Sequence, residues 1–328
     1  MATNIWLWVG FVGFVLAMLA LDLGVFHRKA HEVRPREAAI WVAVWVTLAL
    51  VFALGLWHFK GSEPALTFLT GYVIEESLSV DNLFVMVVIF EYFAVPALCQ
   101  HRVLFYGILG ALVMRGLFIG VGALLLARFE WILYVFGVML IVTGVRMMFK
   151  QDEEFDGEHN PIVRAVRKLV PMTTDFRGKH FFAVDNGRRL ATPLLLVLIL
   201  VEFTDLIFAV DSIPAIFGIT KDPFLVFTSN IFAILGLRSM YFLLAAVVEK
   251  FYLLKYGLAV ILSFIGVKML IEPWFHVHIL ASLGLVIGVL VLSIVASLTW
   301  PQREKAPELV HVESGRTGSI FGTLRRKK

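Results

Sequence analysis

From residue 4 onward the chain is written in long apolar runs broken by short polar ones. Nine of these runs predict helices, at about residues 4–26, 38–58, 65–93, 103–127, 130–149, 192–217, 224–248, 256–272 and 277–299. About 20 mostly apolar residues cross a hydrocarbon core of about 30 Å. The pattern therefore predicts an all-α, polytopic membrane protein with about nine transmembrane helices. The first run, Ile5 to Phe26, is too long for a signal-peptide core and has no small-residue cleavage site before "HRK", so it reads as a retained span. One connection is long, residues 150–191. Its second half, "GKHFFAVDNGRRLATP", has two strand-like runs around Asp185-Asn186-Gly187, a hairpin pattern. After residue 299 the chain becomes polar and ends in "RRKK", which predicts a disordered cytoplasmic tail over 300–328 that can rest on anionic lipid.

Composition agrees with the pattern. Of 328 residues, 59% are hydrophobic and 16% charged, against about 45–50% and 25% in soluble domains. Cytoplasmic loops carry the excess of Lys and Arg. With the N-terminus outside, 22 of the 25 Lys and Arg in loops and tail fall inside. The expected orientation is N-terminus outside and C-terminus in the cytoplasm. The net charge of +4 thus belongs to loops and tail, and no nucleic-acid partner is expected. A single cysteine, Cys99, excludes an internal disulfide or a thiolate cluster.

Three helices of the first half recur in the second. "VDN" at 80–82 matches "VDS" at 210–212, and Glu75, six before Asp81, matches Asp205, six before Asp211. "GILGALVMRGLF" resembles "IFAILGLRSMYF", pairing Arg115 with Arg238, and "GVRMM" matches "GVKML", pairing Arg146 with Lys268. Each repeat (about 65–149 and 192–272) has three spans, an odd number, so the second enters the membrane from the opposite face. Such 3+3 inverted repeats place a transporter's site at midplane. The null account is chance similarity among apolar helices.

Against this background the third and sixth helices are anomalous. They bury Glu75, Glu76, Asp81, Glu202, Asp205 and Asp211, with Asn82 and Ser212 beside the two aspartates. At about 2.5–3.5 kcal/mol per acid at a helix centre, six cost on the order of 15–20 kcal/mol before pairing and hydration. That reaches or exceeds the roughly 5–15 kcal/mol stability of a domain. Arg115 and Arg238 are the charge partners within the spans, and structural ion pairing is the bland reading of both. Two arginines cannot neutralise six carboxylates, so the remainder implies protons or a cation pathway. Oxygen donors alone suit Mg²⁺, Ca²⁺ or Mn²⁺ rather than copper or zinc, and do not separate those three. The metal set expected is Asp81, Asp211, Glu75, Asp205 and Glu202.

Glu202 and Asp205 share a helix face, but Asp211 lies about half a turn away from Glu202. Either the helix breaks, as Pro214 allows, or the acids face different partners. Asp22 divides between site access and a hydrated helix end. Glu91 and the "DEEFDGEH" loop read as solvated, Arg146 and Lys268 as snorkelling, and Met147 and Met148 as packing.

The stretches "EESLSVDNLFV" and "VEFTDLIFAVDSIPAIFGITKDPF", followed by "SNIFAILGLRSMYFLLA" and "IGVKMLI", resemble the TerC family over about residues 5–299. The resemblance implies an inner-membrane protein, N-terminus periplasmic and C-terminus cytoplasmic, whose transmembrane domain over 1–299 exports Mn²⁺ from the cytoplasm, with a historical link to tellurite resistance. It carries the family's acidic motif onto Glu75, Glu76, Asp81, Asn82, Glu202, Asp205, Asp211 and Ser212. The expected function is a secondary transporter, proton-coupled, with divalent metal, protons and the bilayer as partners, no prosthetic group and no enzymatic activity. A metal sensor or scaffold in a tellurite or metal stress complex is the alternative.

Overall fold

The structure, a computed structural model, describes residues 5–24, 35–129, 131–149, 156–157, 160–185, 187–245 and 253–300, with side chains for all of these except 21–24 and 35. The 300–328 tail after Trp300, most of the acidic loop and the Asp22 side chain lie outside the described residues. Helices occupy most of the rest: α1 (Ile5–Gly24), α2 (Pro35–Lys60), α3 (Ser62–Tyr92), α4 (Ala97–Arg128), α5 (Ile132–Phe149), α6 (Pro161–Leu169), α7 (Pro193–Phe217), α8 (Pro223–Leu244), α9 (Leu254–Ile271) and α10 (Ile279–Thr299). Seven are long and apolar enough to cross a membrane: α2, α4, α5, α7, α8, α9 and α10. Helix α3 has the length, but its acids leave it no uninterrupted apolar stretch. Lipid-compatible side chains such as Leu54, Leu117, Leu124, Val142 and Leu292 cover the outer surface, as a bundle without water around it requires.

Helix α8 is the centre of the bundle. Almost every residue from Phe224 to Tyr241 is buried, against α2, α3 and α4. An aromatic cluster locks α1 and α2 to it: Phe52 stands 5.1 Å from Phe232 and 4.9 Å from Phe68, and Trp8 meets Phe224 edge-on at 5.3 Å. Helix α3 packs on α8, α4 on α7, and α5 on α9.

The α5–α9 crossing depends on glycine. A methyl group on Gly144 would stand 2.6 Å from the Ala259 carbonyl oxygen, and one on Gly266 would stand 2.5 Å from that of Gly137. The backbones therefore touch where only hydrogen fits. Sliding α5 onto α9 so that Gly144 meets Gly266 also lays Gly137 on Ala259 and Ile141 on Ser263. Gly144 touches Ala259 and Ser263, while Gly266 touches Gly137 and Ile141. Exchanging the two helices returns the same contact, and they run antiparallel.

The long connection carries the expected hairpin, β1 (Phe182–Asp185) paired antiparallel with β2 (Arg188–Ala191), with Gly187 at φ 75° in the turn. Helix α6 precedes it, started by the Asn160 side chain, which accepts from the amides of Ile162 and Val163, and by Pro161 at its first position. One boundary differs clearly from the hydropathy reading: helix α4 begins six residues early, because the polar "CQHR" turn after Pro96 is helical. Helix α7 keeps the expected bounds and runs unbroken through Pro214.

Candidate functional site

The six anomalous acids of α3 and α7, of which Glu75 and Asp205 are buried and the others half-buried, fall into separate groups rather than one. The first surrounds Arg115. Its guanidinium donates to Glu75 Oε1 and, through Nε and Nη2, to both oxygens of Asp205 at 3.2 and 2.8 Å. Asn82 Nδ2 donates to Asp205 Oδ1 at 3.4 Å. Exposure is 0% for Arg115, 1% for Glu75 and 3% for Asp205, so α4 inserts its charge wholly between α3 and α7. Planar, two-pronged donation suits Arg to this task. Glu75 and Asp205 are the repeat-matched acids, and one arginine holds both. Arg238 lines a small void with Asp205, between α4, α7 and α8.

The second group lines a cavity of about 50 Å³ between α3, α5, α7 and α9. Asp81 and Asn82 face it from α3, Asp211 and Ser212 from α7, and Thr143 from α5. Thr143 Oγ1 donates to Asp211 Oδ1 at 3.1 Å. Asn82 and Ser212 are each 2% exposed, yet among the described residues Asn82 Oδ1 and Ser212 Oγ have no hydrogen-bond partner. Leaving a buried polar atom unmatched costs about 1–3 kcal/mol, which a water or an ion in the cavity would offset. One water needs roughly 10–15 Å³ of such volume, and the cavity exceeds that.

The remaining acids are accommodated by glycine. The Glu202 carboxylate lies against Gly110 of α4, and Glu76 approaches Gly236 of α8. Among the described residues, Glu75, Glu76 and Glu202 each keep one buried oxygen without a hydrogen-bond partner. Because α7 does not break, Asp205 and Asp211 serve different neighbours, which settles the alternative left by their spacing. The five-acid metal set is thus divided, and among the described residues no three of His, Cys, Asp and Glu converge. Asp81 and Asp211 remain together, with amide and hydroxyl oxygens in place of a third acid. Thr143, to which the sequence assigned no role, and Met147, which it read as packing, line the same cavity, and Met147 also packs on the apolar cluster behind it. Lys268 is 4% exposed and does not snorkel.

Apolar helices that enclose ionisable side chains and a cavity lined by some of them define a multi-pass integral membrane protein. More narrowly, the chain belongs to the TerC family: the family model described as "Integral membrane protein TerC family" matches residues 60–306. It is 58% identical over 292 residues, 89% of this chain and 92% of the relative, to "Uncharacterized membrane protein STKORF319" of Myxococcus xanthus. It is 52% identical to "Putative membrane-bound redox modulator Alx" of Salmonella typhi, over 92% of this chain and 97% of that one. The Escherichia coli K12 protein of the same name is 52% identical over 88% of this chain and 93% of its own. No solved structure matches.

Proposed function

We propose that this protein is a secondary transporter that exports a divalent metal ion, foremost Mn²⁺, from the cytoplasm in exchange for protons. The observation that carries the reading is the cavity flanked by Asp81 and Asp211, in which two buried ligand atoms, Asn82 Oδ1 and Ser212 Oγ, lack partners. Two carboxylates balance a divalent charge, and the neutral oxygens fill further positions of a hard-ligand shell. When the ion leaves, the same carboxylates can take protons, so metal and proton compete for one site. Arg115 braces Glu75 and Asp205 beside it and fixes α3 against α7. Nine spans, a periplasmic N-terminus, a cytoplasmic C-terminus and a 3+3 inverted repeat complete the reading. The 22-to-3 division of basic residues supports the orientation, and the exchange-symmetric α5–α9 contact supports the inversion.

The relatives' name, "redox modulator", bears on a second reading, a membrane metal sensor or scaffold in stress resistance. With Cys99 as the single cysteine, the chain cannot cycle a disulfide within itself. Handling a redox-active metal is the route by which it would touch redox balance.

Flux through purified protein in liposomes separates the readings. Wild type should move Mn²⁺ against a proton gradient. Asp81→Asn and Asp211→Asn should each abolish flux while eluting as folded protein, because the amide keeps the shape and loses the charge. Binding without flux in wild type would favour the sensor, and full flux in either variant would remove that aspartate from the site.

A further inference from the structure

The cavity holds one donor of a different kind. Met147, one turn after Thr143 on α5, lines it alongside Asp81, Asn82, Asp211 and Ser212, and is the single sulfur residue of the lining. The i, i+4 spacing puts Thr143 and Met147 on one helix face, and Thr143 is anchored to Asp211. Met147 is half-buried and also touches the apolar cluster around Leu140, Ile261 and Leu262. Packing alone would be served equally by leucine, which has similar volume and no lone pairs.

We propose that Met147 is the specificity-determining residue of this site, offering a thioether to an otherwise all-oxygen shell and so favouring Mn²⁺ and Cd²⁺ over Ca²⁺ and Mg²⁺. The inference rests on the metal-transport reading and narrows its substrate class. Oxygen ligands by themselves do not part Mn²⁺ from Mg²⁺ or Ca²⁺. A polarisable, uncharged sulfur does. The hard ions gain little from it in return for a lost water, while softer ions retain a bond. The device suits an exporter in a cytoplasm where Mg²⁺ greatly outnumbers Mn²⁺. It discriminates by making the wrong ion pay for its dehydration.

The test is equilibrium binding of Mn²⁺ to the purified full-length protein by calorimetry, with Cd²⁺, Ca²⁺ and Mg²⁺ as competitors. Met147→Leu removes the sulfur at constant volume, and Met147→Gln replaces it with an amide oxygen. In wild type Cd²⁺ should displace Mn²⁺ readily and Ca²⁺ poorly. In Met147→Leu the preference for Cd²⁺ over Ca²⁺ should fall by at least the roughly tenfold that loss of a supporting group costs a metal site. Met147→Gln should move it further toward Ca²⁺ and Mg²⁺. Unchanged competition ratios in both variants would overturn the role of Met147 and leave the transport reading standing. Wild-type protein that binds Mn²⁺ without carrying it across liposomes would overturn transport, while the ratios still decide Met147. Wild type that binds no Mn²⁺ would overturn both.

Discussion

Replacing Arg115 with methionine removes one charge and strands two. Glu75 and Asp205 share that guanidinium, and neither is more than 3% exposed. Removing one member of a buried ion pair costs about 3–5 kcal/mol, because the survivor is left uncompensated. Counting that penalty once gives a lower bound here, since two carboxylates lose their partner. At roughly 2 °C per kcal/mol for a chain of this size, the melting temperature of Arg115→Met should drop by about 6–10 °C. The assay is thermal unfolding of detergent-solubilised protein followed by size-exclusion fluorescence. A second protein controls for lost packing. Arg115→Met combined with Glu75→Gln and Asp205→Asn has neutral side chains of matched shape and should recover most of the loss, as neutral replacements of buried ion pairs do. A single variant that melts within about 2 °C of wild type would refute the clamp. So would a triple variant no more stable than the single.

Two further outcomes follow from the geometry. Gly144→Ala and Gly266→Ala should each lower stability by about 1–3 kcal/mol, because the added methyl strikes backbone at 2.6 and 2.5 Å, and chemical denaturation in detergent reads the difference. Gly10→Ala, with open space around it, should be near neutral. A reporter fused after Lys328 should report the cytoplasm and one inserted at Ser62 the periplasm; the opposite pair would reverse both the orientation and the export direction.

Hydropathy located the helices because lipid imposes one rule on every outward face. It misplaced the start of α4, where Gln100, His101 and Arg102 are polar yet helical. It also missed α6, whose signal was local: an asparagine cap with proline at the next position. Charge in an apolar run singled out the acids and Arg115, since burial makes them expensive wherever they sit. Their grouping was not legible. Six acids on two helices do not reveal that Glu75 and Asp205 turn to an arginine while Asp81 and Asp211 turn to a cavity. That division depends on α7 staying helical through Pro214 and on how α5 packs beside it. Thr143 gave no signal and Met147 read only as packing, for a neutral residue in an apolar helix acquires a role only from its neighbours.

The arginine clamp also imposes an order on synthesis. Glu75 leaves the ribosome 40 residues before Arg115, and Asp205 follows Arg115 by 90. At about 5–20 residues per second, α3 waits about 2–8 s for its counter-charge, and the cluster is incomplete for several seconds more. During that interval the most acidic helix faces the membrane with no partner, at a cost that insertion scales place near 3 kcal/mol per central acid. That cost favours holding α3 back until α4 brings Arg115, so that the two helices would enter the bilayer as a pair and α7 would dock onto a charge already in place.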